Sequence, residues 1–163
     1  MSGAARRLVG FAPVTSPRTH TMVLGSFPGE RALALGQYYG HPRNQFWPLL
    51  GAVLGEDLAA LPYERRLARV LAHGFGLWDV VNACEREGSL DAAIRRAEHN
   101  DLARLRRIAP RLARIGLNGG TARRFAAPLR AAGYEVIELP SSSPAYAAMP
   151  FARKLARWRR LVA

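Results

Sequence analysis

The sequence predicts an α/β fold in which a parallel sheet is covered by helices on both faces. Three observations predict it: four short apolar runs spaced along the chain, amphipathic stretches at helical spacing between them, and a length of 163 residues that suits one domain. Residues 1–19 form a Pro/Ser/Thr-punctuated, irregular lead-in, partly ordered against the domain. Thr21-Met22-Val23-Leu24, halted by Gly25, is the first strand. Asn44 to about Gly55 places Phe46, Leu49, Leu50, Val53 and Leu54 on one helical face, and Tyr63–Ala72 repeats the pattern with Leu67, Val70 and Leu71. Gly76–Val81 is the second strand. Asp101–Ala109 sets Leu102, Leu105 and Ile108 three apart on a helix, with Asn100 as its N-cap. Ala113–Asn118 is the third strand and runs into Gly119-Gly120-Thr121 and a helix through Leu129. Tyr134–Leu139 is the fourth strand, stopped by Pro140, and a basic helix from Pro150 buries Leu155, Trp158 and Leu161. In such folds ligands sit at the carboxyl ends of the strands. Gly25–Gly29, Asp79–Asn82, Asn118–Thr121 and Pro140–Pro144 should therefore meet in one cleft.

The totals narrow the class. No apolar run approaches the length of a membrane span, so no membrane partner is expected and a cytoplasmic location is the plain expectation. The single cysteine, Cys84, rules out an internal disulfide and any cysteine-only metal or iron–sulfur site. The four histidines are not paired at ligand spacing, which argues against a protein-bound metal. A formal charge of +12 favours polyanions, nucleic acid first among them. Lys154 is the only lysine, so arginine-favouring codon composition also fits, and charge alone leaves a bland basic surface open.

The densest chemistry is Tyr38-Tyr39-Gly40-His41-Pro42-Arg43-Asn44-Gln45-Phe46-Trp47. Flat rings beside amide-bearing groups suit a pocket for a planar heterocycle, because rings supply stacking faces and an amide supplies donor and acceptor atoms. Phe46 and Trp47 begin an amphipathic helix and read as core. Tyr38 and Tyr39 precede it in a loop and fit either stacking or core. Arg43 fits a phosphate contact or a solvated charge, and Asn44 fits a site residue or an N-cap. Gly25-Ser26-Phe27-Pro28-Gly29 fits a ligand-approaching turn or a simple tight turn. Ser141-Ser142-Ser143-Pro144 fits a phosphate grip or a polar turn, and no nucleophile elbow accompanies the serines. Asp79 and Glu85 are acidic candidates, Glu85 reading as surface charge.

Taken together, these segments resemble the hypoxanthine (deoxyinosine) branch of the uracil-DNA glycosylase superfamily. The first signature is Gly25–Gly29 followed by Tyr38–Trp47. Leu77-Trp78-Asp79-Val80, Gly88-Ser89-Leu90-Asp91, Asn118-Gly119 and Leu139-Pro140-Ser141-Ser142-Ser143-Pro144-Ala145 continue it in order, over roughly residues 20 to 162. The resemblance implies a three-layer α/β/α sandwich with a central four-stranded parallel sheet. It implies a monofunctional, cofactor-free glycosylase, monomeric and nucleoid-associated in a bacterial-type cytoplasm, that flips a deaminated base from DNA and cuts its N-glycosidic bond. Relatives with an iron–sulfur cluster need four cysteines. Uracil-excising relatives often carry Asp or Asn where Phe27 stands, and a His or Asn where Leu139 precedes Pro140, which points away from strong uracil activity. In this branch the functional asparagine maps onto Asn44.

The resemblance gives each residue a part. Asn44 orients water or the base edge, and His41 either bonds the leaving base or braces its loop. Phe27 with Tyr39 or Tyr38 stacks on the flipped base, while the backbone of Gly25, Ser26, Phe27, Pro28 and Gly29, with Asn118, lines its pocket. Arg43, Ser141, Ser142 and Ser143 hold phosphates. Rival readings are a uracil-preferring mismatch enzyme, a lesion binder without catalysis, and a hydrolase of free nucleosides, the last disfavoured by the charge.

Overall fold

The computed structural model describes residues 6–163. The strands are β1 (Arg7–Val9), β2 (Thr21–Gly25), β3 (Phe75–Asp79), β4 (Val81–Glu85), β5 (Arg95–His99), β6 (Arg114–Asn118) and β7 (Glu135–Leu139). The helices are α1 (Glu30–Leu35), α2 (Phe46–Leu54), α3 (Tyr63–Ala72), α4 (Leu105–Ile108), α5 (Gly120–Arg123), α6 (Ala126–Ala131) and α7 (Phe151–Trp158). Four strands make a parallel sheet in the order β3-β2-β6-β7. β2 is buried along its whole length, which is why its sequence is continuously apolar rather than alternating. β7 lies at an edge and accordingly sends Glu135 and Glu138 to solvent. The other edge, β3, is closed by the lead-in: Val14 and Leu77 exchange backbone hydrogen bonds of 2.8 and 2.9 Å.

Side chains alternate across the sheet and divide the core in two. Met22, Leu24, Trp78, Ile115 and Leu117 pack with Leu105 of α4, Ala122 of α5 and Leu129 of α6. Val23, Phe75, Leu77 and Leu139 pack with Phe46 and Leu50 of α2, Val70 of α3 and Trp158 of α7. The molecule is therefore helix, sheet, helix in section, as expected. Gly116 in β6 leaves room on this second face, since a Cβ there would lie 2.7 Å from Leu161 and 2.8 Å from Leu139.

Several expectations need correction. A second, small antiparallel sheet goes unread in the sequence: β1 of the lead-in pairs with β4, and β4 with β5. The second strand ends at Asp79, where the chain bends and enters β4 at Val81. The helix expected over 101–109 is a 3-10 turn at Leu102–Arg104 followed by the one-turn α4. Its cap is Asp101, which accepts from the Ala103 N–H at 3.0 Å, whereas Asn100 donates its amide to the Asp79 carbonyl at 2.7 Å. The helix expected after Gly119 is broken at Arg124-Phe125 into α5 and α6. α1 is short and half-exposed, so no apolar period announces it in the sequence.

Candidate active-site cleft

The carboxyl ends of β2, β3 and β6, with the loop after β7, open into a cleft of about 400 Å³, within the range of small-molecule sites. Of the four segments expected to converge, Gly25–Gly29, Asp79, Asn118 and Ser141–Pro144 line it. Asn82 does not; it faces the small sheet and donates to Glu98. Tyr38, Tyr39, His41 and Asn44 add to the lining from the loop before α2, Ser89, Leu90 and Asp91 from the loop after β4, Arg31 and Ala32 from α1, and Ala145 and Tyr146 from the loop after β7.

The floor is built from three polar groups around the close approach at Gly25. A Cβ there would lie 2.7 Å from both the Asp79 Oδ1 and the Tyr39 hydroxyl oxygen, so only hydrogen lets the three meet. The Asp79 side chain is 5% exposed. Burial, reinforced by the charge of Asp91, pushes its carboxyl up to about 7, near half-protonation at neutral pH. Asn118 sits at the end of β6 and is locked: its Oδ1 accepts from the Ser142 N–H at 3.0 Å and its Nδ2 donates to the Ser142 Oγ at 3.0 Å. The same Nδ2 reaches the Tyr39 hydroxyl at 3.4 Å. Burial also holds the Tyr39 phenol protonated, well above its ordinary range.

The aromatics divide differently from the sequence expectation. Phe46 and Trp47 are core, as expected. Tyr38 is core too: its ring packs edge-on to Phe11 and its hydroxyl donates to the Ala12 carbonyl at 2.8 Å. Tyr39 stacks one ring face on Phe46, centroids 3.8 Å apart, and its hydroxyl is aimed at the floor. Its backbone is left-handed at φ 54°, a strained conformation for tyrosine that packing must hold. Phe27 lines the cleft but is only 7% exposed, and the Arg86 guanidinium lies 5.3 Å from its ring centroid. Arg86 also donates to the Pro28 and Gly88 carbonyls at 2.7 and 2.8 Å, tying the first turn to the loop after β4.

The N-cap of α2 is Gln45, which makes no side-chain cap bond, and Asn44 sits just before it. The Asn44 Oδ1 accepts from the Phe46 N–H at 2.9 Å at the start of α2, and its amide lines the cleft. With Oδ1 engaged, the group it presents is the NH2 donor. His41 Nδ1 accepts from the Arg43 N–H at 3.0 Å, so the neutral ring carries its proton on Nε2. The Arg43 side chain is exposed and outside the lining. Ser142 is buried as the partner of Asn118 rather than presented to solvent. Ser141 and Ser143 are half-buried; their Oγ atoms accept from Ser143 N–H and Ala145 N–H, which leaves each O–H free to donate.

Lys154 supports this loop from behind. It is 1% exposed, and its ammonium donates to the Gln45 Oε1 at 2.9 Å and the Tyr146 carbonyl at 2.7 Å. Gln45 in turn donates its N–H to the Ser142 carbonyl at 2.9 Å. Nothing in the sequence signals this brace beyond lysine appearing once among arginines. Asp79 carries a signal, a carboxylate at a strand's carboxyl end, but the motif segments alone assign it no part. The loop carrying Ser89 and Asp91 becomes legible only in three dimensions: Ser26 Oγ donates to Asp91 Oδ1 at 2.8 Å, and Glu30 N–H to Ser89 Oγ at 2.9 Å.

Comparison with known proteins finds relatives over most of the chain. A hypoxanthine DNA glycosylase of Methanosarcina barkeri is 43% identical over 136 residues, covering 83% of this chain and 86% of that protein. A protein of the same name from Methanosarcina acetivorans is 42% identical over 136 residues, with the same coverage. A solution NMR structure from Methanosarcina acetivorans, provisionally described as a uracil DNA glycosylase, superposes with a TM-score of 0.86 at 38% identity and covers 97% of this chain and 100% of its own. The family model of the uracil DNA glycosylase superfamily matches residues 12–162. The chain belongs to the uracil DNA glycosylase superfamily.

Proposed function

We propose that this protein is a monofunctional DNA glycosylase that flips a deaminated base, hypoxanthine foremost, out of DNA and hydrolyses its N-glycosidic bond. The observation that carries this reading is the buried Asp79 carboxyl at the floor of a strand-end cleft in a chain of this superfamily. Hypoxanthine presents a lactam edge, a C=O beside an N–H. A neutral carboxyl offers the complementary pair, an O–H donor and a C=O acceptor. The Asn44 amide and the Nε2–H of His41 add donors for the acceptor nitrogens of the purine or for water. A +12 surface draws in the DNA.

The reaction needs little from the protein beyond positioning. The C1′–N9 bond breaks with its electron pair leaving on the base, and the sugar passes through an oxocarbenium-like state. Water oxygen then bonds C1′, and its released proton ends on the departing base. Among the described residues no acceptor engages the N–H groups of Phe27 and Gly29, which suits them to a base oxygen as charge develops there. The only lysine, Lys154, is sealed behind the cleft and offers no side-chain amine for a Schiff base. Base flipping costs a few kcal/mol, least at mispaired lesions, so the damaged pair itself supplies part of the selectivity.

Duplexes with one end-labelled hypoxanthine or uracil, incubated with the protein and then treated with alkali, test the reading. Breaks at hypoxanthine, weaker at uracil, are the expected result. Breaks at neither base would leave a lesion binder, the reading favoured by apolar Phe27 standing where relatives carry a polar group.

A further inference from the structure

Arg86 is a buried cation without an acid. It follows β4, is 8% exposed and makes no ion pair among the described residues. Taking a guanidinium out of water is costly, and a carboxylate is the usual compensation. Here two carbonyls stand in for it. Nη2 donates to Pro28 at 2.7 Å and Nε to Gly88 at 2.8 Å, while Nη1 is buried with no partner among the described residues. The positive charge is thus applied to the back of the Gly25–Gly29 turn.

The other carbonyls there are held from behind as well: Gly25 accepts from Val80 N–H, Ser26 from Val81 N–H and Gly29 from Leu33 N–H. Every described peptide bond is trans, and in a trans peptide the C=O and N–H point opposite ways. Anchoring the Pro28 carbonyl on Arg86 therefore directs the N–H of the same peptide, that of Gly29, away from Arg86. Gly29 is on the cleft wall and Arg86 is not. A charged donor at one end of an amide strengthens the hydrogen bond made at the other, because the amide polarises as a unit.

Resting on the glycosylase reading, we propose that Arg86 is a positioning residue for the leaving base: its charge, carried through the Pro28–Gly29 peptide, strengthens the Gly29 N–H as a donor to the base oxygen while the base departs with the bonding pair. Arg86 touches neither base nor sugar. Its pull on a neutral base is small and grows as negative charge develops, so it favours the transition state over the bound substrate.

Two variants separate charge from tethering: Arg86→Gln keeps a neutral donor and Arg86→Lys a charged one, with urea unfolding to check both. In single-turnover excision from a hypoxanthine duplex, Arg86→Gln is expected to lose about tenfold in maximal rate, equivalent to about 1.4 kcal/mol. The half-saturating protein concentration stays within about twofold, and Arg86→Lys recovers to within about threefold of wild type. A second measurement needs no cleavage. Free 8-azahypoxanthine has the shape of hypoxanthine but is an anion near neutral pH, and so stands in for the departing base. Titrated calorimetrically into protein on a duplex with a tetrahydrofuran abasic site, it should bind Arg86→Gln about tenfold more weakly than wild type, while hypoxanthine binds both alike. Full rate in Arg86→Gln, a change in half-saturation alone, Arg86→Lys no better than Arg86→Gln, or equal losses for the two free bases would overturn the proposal. A wild type that holds 8-azahypoxanthine no tighter than hypoxanthine would overturn it without any variant. Wild-type protein that excises nothing yet holds 8-azahypoxanthine through Arg86 would defeat the glycosylase reading and leave the proposal standing.

Discussion

Replacing Asp79 with asparagine isolates the titration of the cleft floor. The wild-type carboxyl is raised from 3.8 to about 7 by burial and by Asp91, and it is 5% exposed. Between these values the folded protein binds a proton that the unfolded chain has released. Stability conferred by the protonated form is complete below about pH 4 and is lost as pH rises through about 7. At 1.36 kcal/mol per pH unit the loss is a few kcal/mol, about 4 at most. The amide introduced by D79N cannot ionise. Urea unfolding at pH 4, 5, 6, 7 and 8 should therefore show wild type losing that much relative to D79N, while the other groups titrate in both proteins and cancel. Excision should follow the same group. Wild-type activity on hypoxanthine declines as pH passes about 7 because the O–H donor disappears, and D79N, which keeps a donor and an acceptor at every pH, shows a flatter alkaline limb. Parallel stability curves for the two proteins from pH 4 to 8 would refute the buried, neutral carboxyl and the pairing built on it.

Gly25→Ala drives a methyl group to 2.7 Å from Asp79 and Tyr39, and is expected to lower excision at least tenfold while costing about 1–3 kcal/mol in urea unfolding. Asn44→Ala removes the acceptor for Phe46 N–H, worth about 1 kcal/mol, and the amide in the cleft, with excision falling about 100-fold in the single-turnover assay. Full excision by that variant would defeat the assigned role. Lys154→Met keeps the buried stem but cuts the ties to Gln45 and Tyr146; the expected outcome is faster proteolytic nicking within residues 141–149 and about tenfold slower excision, read by mass spectrometry and by single-turnover kinetics.

The parallel sheet is legible in the sequence because β2, β3 and β6 are buried almost throughout, and continuous apolar runs such as Thr21–Leu24 have few other readings. The antiparallel sheet is not. β5 is Arg95-Arg96-Ala97-Glu98-His99, exposed throughout, and its pairing with β4 shifts register twice, so no period-2 pattern reaches the sequence. Cap chemistry misleads at Asn100, where two adjacent Asx residues compete and the third dimension decides: Asn100 is drawn to the Asp79 carbonyl and Asp101 takes the cap. In the cleft, the motif segments are readable as a cluster, but the division of labour is not. Ser142 has the pattern of a phosphate grip and is a brace for Asn118; Tyr38 has the pattern of a stacking ring and is anchored to Ala12. Such roles depend on partners more than twenty residues away, which local pattern cannot supply.

The burial of Lys154 has a consequence for the rest of the surface. Apart from the histidines, every other basic side chain of the protein is an arginine, and guanidinium groups keep their charge well beyond pH 10. The attraction to a polyanion is accordingly insensitive to alkali, so that a falling alkaline rate reports chemistry in the cleft rather than loss of DNA. Amine-directed reagents, for the same reason, find no exposed lysine on the folded protein, and acylation of Lys154 would report the opening of the loop it braces.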